Sequence, residues 1–182
     1  YRDVNIGLAN QFALYAAAND IDVHAVIEAC NTQPFSHIHK PGIAVGGHCI
    51  PVYPRLYLST DPNADIVRTA RAANAAMPDR MVGEGERILG SYEGLRAVVL
   101  GAAYRGGVKE TAFSGVFPTV DALRARGAIV SVHDPMYSPQ ELHKLGFEAH
   151  SLGNPVDVAV LQTDHAEYRK LCPTDFPGIR LL

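Results

Sequence analysis

Ala97–Tyr104, AVVLGAAY, is an apolar run interrupted by a glycine. A short run of this kind, bounded by a turn residue, reads as a buried strand. The segment from Gly115 reads as helix, Ala128–Asp134 (AIVSVHD) as a second strand and Pro155–Asp164 (PVDVAVLQTD) as a third, and Gly178–Leu182 (GIRLL) opens another. Strands that alternate with helices predict a parallel, Rossmann-like sheet, so residues 91–182 are expected to form an α/β domain.

Upstream the pattern is helical. Asp61–Leu89 reads as helix, interrupted or kinked at Pro78, where the missing N–H removes a hydrogen bond. Asp79, Glu84 and Glu86 make its second half acidic and, on this reading, exposed. Tyr1–Asn19 carries Val4, Leu8, Phe12 and Tyr15 at helical spacing among alanines. Ile21–Cys30 reads as another helix, with Asp20 or Asp22 as its N-cap. Residues 1–90 are expected to form an all-helical domain that also carries one irregular loop.

That loop is Pro41–Pro54, PGIAVGGHCIPVYP. Gly46 and Gly47 permit positive φ and let backbone approach a bound group without a Cβ in the way. Pro51 and Pro54 stiffen the segment and oppose a helix through it. Cys49 therefore stands on a rigid, irregular stretch, a placement that suits a nucleophile. Cys30 and Cys172 end apolar helical runs and read as small buried hydrophobes. His37, His39, His48 and Cys49 have poor zinc-ligand spacing, and no C-x-x-C accompanies them, so no metal site is expected.

Composition narrows the class. With 182 residues, 47% hydrophobic and 19% charged, the chain has the make-up of a globular protein with a sizeable core. No apolar run approaches the ~20 residues of a membrane span. The net charge of −3 argues against a nucleic-acid partner. Three cysteines without paired spacing predict free thiols in a reducing, cytoplasmic compartment.

Gly46–Pro54, GGHCIPVYP, resembles the active-site loop of the nucleotide-sugar 6-dehydrogenases, the family of UDP-glucose, GDP-mannose and UDP-N-acetylmannosamine dehydrogenases. It is most similar to the UDP-N-acetylmannosamine branch, whose loop reads PGxGVGGHCIxVDP. Arg2–Gln11, RDVNIGLANQ, is similar to that family's RDVNIALANE, and Gly101–Ser114, GAAYRGGVKETAFS, to its GLAFKxxxDDxRES. The resemblance covers essentially the whole chain. It implies a central helical domain that forms a homodimer (residues 1–90), followed by a Rossmann-like UDP-binding domain (residues 91–182).

The resemblance also implies roles. Cys49 would be the catalytic nucleophile, and Arg2, Gly46, Gly47, Tyr104 and Arg105 would contact a nucleotide-sugar substrate. The cofactor would be NAD and the setting polysaccharide biosynthesis. In the family a cysteine thiolate attacks the C6 aldehyde to give a thiohemiacetal, which is oxidised to a thioester and hydrolysed. Thiolate is the nucleophilic form, because a free thiol of pKa ~8.5 is mostly protonated near neutrality.

The family's catalytic lysine and asparagine precede the position of Arg2, and its NAD fingerprint lies further upstream. The sequence contains no G-x-G-x-x-G. By this resemblance the chain is expected to be a fragment, inactive alone, with NAD bound mainly by a domain outside it. Four residues depart from the family pattern. Gln33 and Phe35 replace a histidine and an arginine, Tyr53 replaces the aspartate four residues after the cysteine, and Ala112 replaces an arginine that reaches the neighbouring subunit's cofactor. These departures leave a second reading: a nucleotide-sugar-binding and dimerisation module without catalysis.

Overall fold

The computed structural model describes residues 1–182, which divide into two compact units, Tyr1–Met77 and Pro78–Leu182. The first unit is helical. It contains α1 (Arg2–Ala18), α2 (Val23–Cys30), α3 (Tyr53–Thr60) and the first half of α4 (Asp65–Leu89). Asp22 caps α2, its carboxylate accepting from the N–H groups of His24 at 2.8 Å and Ala25 at 3.3 Å. Asp20 instead takes the left-handed conformation (φ 57°) in the turn after α1.

The apolar stripe of α1 is not its buried face. Leu8 and Tyr15 are 48% and 63% exposed, whereas Asp3, Gly7, Asn10 and Ala16 are buried. Gly7 explains the inversion. A Cβ there would lie 3.3 Å from Ala70 of α4, so the two backbones approach closely. A seam this narrow admits small residues and short polar side chains that hydrogen-bond across it.

No helix runs back through the loop, as Pro51 and Pro54 predict, but helix α3, which the sequence reading does not include, begins at Tyr53 at the loop's end. Pro54 stands in its first turn, where a missing N–H removes no intrahelical bond. Helix α4 runs unbroken past Pro78 and starts at Asp65, because the Asp61 carboxylate turns the chain by accepting from Asn63 N–H. Cys30 and Cys172 are exposed, not buried as their apolar flanks predicted. Cys30 is the last residue of α2, whose buried residue is Ile27.

The second unit is α/β. Its strands are β1 (Arg96–Leu100), β2 (Ile129–His133), β3 (Glu148–Ala149) and β4 (Val158–Leu161), all parallel in the order β3-β2-β1-β4. The Gly178–Leu182 stretch contributes only a single bridge, Leu181 to Val158. Period-two alternation divides β1 between the faces of the sheet. Ala97 and Val99 join Val116, Val120 and Leu123 of α5 (Val116–Ala125) and Leu142 of α6 (Pro139–Lys144). Val98 and Leu100 join Val156, Ala159, Tyr168 and Phe176 on the other face.

The second half of α4 is tied into this unit. Val82 is buried in the core, and Arg126 after α5 pairs with Asp79 at 2.8 Å and Glu86 at 3.1 Å. The acidic stretch is therefore partly neutralised by a partner. No helix is long and apolar enough to cross a membrane.

Gly85 of α4 meets the buried Tyr92 ring, and a Cβ there would collide with the tyrosine hydroxyl. In an open helix Gly→Ala gains ~1 kcal/mol, but overpacking a fixed ring costs about 1–3 kcal/mol. Gly85→Ala is expected to lower the urea midpoint of the protein. Double replacement with Tyr92→Phe, which removes the colliding hydroxyl, is expected to restore most of it. An unchanged or raised midpoint for Gly85→Ala alone would contradict this packing.

Candidate functional site

The cysteine loop is anchored at its start. Asn10 of α1 accepts from Gly42 N–H at 2.9 Å and donates to the Asn74 side chain at 2.8 Å. Asn74 donates in turn to the backbone and side-chain oxygens of Asp3, each at 2.8 Å. Arg71 closes the chain with a 2.8 Å ion pair to Asp3. Burial lowers the basicity of Arg71, Asp3 opposes that shift, and Arg55 adds to it. Oδ2 of Asp3 and Nε of Arg71 are buried without a protein partner. An unpaired ion here would be costly, so the pair and the two asparagines act together.

The thiol end of the loop is a tight turn. Of the two adjacent glycines Gly47, which is buried, takes positive φ (90°), and Gly46 does not. The Cys49 carbonyl accepts from Val52 N–H at 3.3 Å and Tyr53 N–H at 3.0 Å, which leads directly into α3. The thiol is exposed. It lines a cleft of about 140 Å³ with Arg2, Asp3, Ile50 and Tyr53. Two of the sequence candidates, Arg2 and Cys49, thus share one cleft. Asp3, Asn10, Arg71 and Asn74 were missed. Their signal was spacing: Asp3, Gly7 and Asn10 on one helical face, and Arg71 and Asn74 one turn apart on another helix.

Tyr104 and Arg105 belong to the second unit, in the turn after β1. Gly101 has φ 105°, and a Cβ on it would overlap the Thr163 side chain, so the turn lies directly against the end of β4. The Asp134 carboxylate accepts from Ala102 N–H at 2.8 Å and Ala103 N–H at 3.1 Å. Asp164 accepts from Gly106 N–H at 2.8 Å, and Thr163 donates to the Ala103 carbonyl at 2.6 Å. Tyr104 N–H reaches the Glu110 carbonyl at 3.0 Å, closing the far side. Arg105 is exposed, with its guanidinium carbon 5.9 Å from the Tyr104 ring centroid.

Two neighbouring groups, His133 and Tyr168, are shifted toward their neutral forms. Burial lowers the His133 imidazole against the opposing effect of Asp134, and burial raises the Tyr168 phenol far above its usual range. The Tyr168 hydroxyl donates to the His133 carbonyl at 2.8 Å and lies 3.0 Å from its Nδ1.

In open parallel sheets ligands bind beyond the carboxyl ends of the strands, where the strand order reverses. Here that place lies between β1 and β4, beneath the Tyr104–Arg105 turn. The turn does not fit an NAD pyrophosphate. Its second glycine position is Ala103, its N–H groups at 102 and 103 are already used by a buried carboxylate, and α5 begins only at Val116. No dinucleotide is therefore assigned to these residues. The exposed arginine beside an aromatic ring suits a single diphosphate group.

Comparison with known proteins finds one family across both units. The sequence model for the UDP-glucose/GDP-mannose dehydrogenase family, central domain, matches residues 1–76, and that for the UDP binding domain of the same family matches residues 98–179. The UDP-N-acetyl-D-mannosamine dehydrogenase of Pyrococcus horikoshii is 38% identical over 180 residues, which cover 94% of this chain and 41% of the relative. That of Methanocaldococcus jannaschii is 35% identical over 182 residues, covering 98% and 41%. Among solved structures, UDP-D-ManNAc dehydrogenase from Pyrococcus horikoshii superposes with a TM-score of 0.84 at 35% identity, covering 99% of this chain and 43% of the other. A UDP-glucose dehydrogenase from Pyrobaculum islandicum gives 0.85 at 25% identity, covering 93% and 42%.

The chain spans about 41% of the length of these curated relatives. Two adjoining domains of one family account for most of its residues, and both units superpose on solved members. The chain belongs to the UDP-glucose/GDP-mannose dehydrogenase family.

Proposed function

We propose that this chain supplies the thiol and the nucleotide-binding half of a nucleotide-sugar 6-dehydrogenase acting on a UDP sugar, of the UDP-glucose or UDP-N-acetylhexosamine type. The observation that carries the reading is the cleft in which an exposed Cys49 stands beside Arg2, on a loop anchored by buried hydrogen bonds. The names of the relatives support the substrate class.

In this proposal Cys49 sulfur adds to the C6 aldehyde carbon, giving a thiohemiacetal. Once that carbon has lost its hydride, the carbon–sulfur bond is a thioester, and water displaces the sulfur to leave a carboxylate. NAD is the acceptor that the resemblance implies, and no residue of this chain is assigned to it. Within the helical unit Arg2 and the backbone at Gly46 and Gly47 would orient a sugar, and within the α/β unit Tyr104 and Arg105 would hold a nucleotide diphosphate. The exposed stripe of Leu8 and Tyr15 on α1 supports a further part of the reading, a homodimer through the helical unit.

Tyr53 stands where a carboxylate would assist hydrolysis of the thioester. A phenol hydroxyl donates a hydrogen bond but does not replace a carboxylate as a base. This substitution favours the second reading, a binding module without turnover, and the thiol decides between them.

In the protein at its natural length, supplied with NAD and UDP sugar, Cys49→Ser is expected to stop oxidation to the acid, since an alkoxide forms far less readily than a thiolate. An electrophilic thiol reagent is expected to label Cys49, Cys30 and Cys172, all of which are exposed, and UDP sugar to protect Cys49 alone. Full activity of Cys49→Ser, or labelling of Cys49 that substrate leaves unchanged, would remove the catalytic role. Tyr53→Asp is expected to shorten the lifetime of the thioester in single-turnover experiments. A lifetime equal to the native one would show that this position does not touch hydrolysis.

Arg105 is tested by calorimetry with UDP. A charge-assisted contact to phosphate contributes about 1.5–3 kcal/mol, so Arg105→Ala is expected to weaken UDP by about ten- to a hundredfold. Equal affinity of the variant and the native protein would exclude the contact.

A further inference from the structure

Asp134 and His165 face each other at 3.1 Å with side chains 0% and 1% exposed, and no role above uses the histidine. Every group around the Asp134 carboxylate is a donor. Oδ1 accepts from Met136 N–H at 2.8 Å, and Oδ2 accepts from Ala102 N–H, Ala103 N–H and His165 Nε2. The other ring nitrogen, Nδ1, accepts from Gly107 N–H at 3.3 Å. An imidazole that receives an N–H on Nδ1 has no proton there, so its single proton is on Nε2 and points at Asp134. One neutral tautomer satisfies both contacts.

The consequence is a turn pinned on both sides of the half-buried Tyr104 and the exposed Arg105. Ala102 and Ala103 are held by Asp134, Gly106 by Asp164 and Gly107 by His165, and Tyr104 and Arg105 lie between them. Gly107 has φ 71° and follows another glycine, a pair that would sample many conformations if released. An arginine meets a diphosphate productively only from a fixed backbone, because ordering a loose loop on binding subtracts from affinity.

We propose that Asp134 and His165 are positioning residues for the nucleotide contact of Tyr104 and Arg105, with His165 locked as the neutral Nε2–H tautomer that links Gly107 to Asp134. This rests on the reading of Tyr104 and Arg105 as diphosphate ligands. A third buried group, Thr163, holds the Ala103 carbonyl in the same turn.

The test uses the protein at its natural length, with UDP as the probe. His165→Gln keeps one donor and one acceptor about as far apart as the ring nitrogens, whereas His165→Leu keeps neither. His165→Leu is expected to weaken UDP about tenfold and to expose the Gly107 amide to hydrogen exchange, while His165→Gln stays within about threefold of native affinity. Nitrogen-15 shifts of the native imidazole are expected to report protonation at Nε2. Val130→Ala, in the core of β2, serves as the control, with a lowered melting temperature and native UDP affinity expected.

Native affinity in His165→Leu, failure of His165→Gln to the same extent as His165→Leu, or an equal loss in Val130→Ala would each overturn the proposal. So would a native imidazole protonated at Nδ1, or an unprotected Gly107 amide in the native protein. Absence of UDP binding by the native protein removes the ligand reading of Tyr104 and Arg105, and with it the positioning role. Exchange at Gly107 then still reads the pinning by itself, so the two failures are told apart.

Discussion

A parallel strand that ends inside a folded unit leaves backbone N–H groups beyond the ladder, and each must find a partner or carry a desolvation cost. At the end of β1 the buried carboxylate of Asp134 meets that requirement for Ala102 and Ala103. The choice of acceptor has consequences. A carboxylate makes stronger bonds to N–H than a neutral oxygen does, and its second oxygen remains available for Met136. The sheet's end is thereby closed without a helix N-terminus against it, which leaves the following turn to present side chains and not backbone.

The helical unit meets a comparable constraint by a different route. The close approach at Gly7 and Ala70 leaves a seam too narrow for large apolar side chains, so the stabilising contacts there are polar. Asn10, Asn74, Asp3 and Arg71 form one connected set, and Gly42 at the start of the cysteine loop is attached to it. Specificity of geometry is the gain, since such a set holds only when its members are in register. The larger apolar side chains of α1, Leu8 and Tyr15, are displaced to the opposite face, where they remain exposed.

How much of this was legible depends on whether the signal is local. The strands β1, β2 and β4 are legible as short apolar runs, and the irregular loop that carries Cys49 from its glycines and prolines, because each signal lies within a few residues. Strand β3 is two residues long and shows no alternation to read. Helix α3 is hard to read because Pro54 looks like a breaker, although a proline in the first turn is compatible with the start of a helix. Of the two readings of Pro78, interruption or kink, the interruption is absent: α4 continues through it with the loss of the one hydrogen bond that the missing N–H removes. Asp3 and Asn10 were not legible as buried residues. Polar side chains are usually exposed, and the partners that reverse this, Arg71 and Asn74, lie more than 60 residues away.

The two candidate loops share one principle of construction. In each, a buried side-chain oxygen or ring nitrogen takes up a backbone N–H, as Asn10 does for Gly42 and as Asp134 and His165 do for the turn after β1. The side chains proposed as functional then need no contacts of their own to stay in place. Cys49 and Arg105 are exposed, yet the backbone that carries them is tied to buried groups. A nucleophile or a phosphate ligand packed into the core would lose reactivity or reach, and one on an unanchored loop would pay ordering entropy at each binding event. Anchoring the backbone while leaving the side chain free avoids both costs, and the buried polar residues of this chain serve that arrangement more than they serve the hydrophobic core.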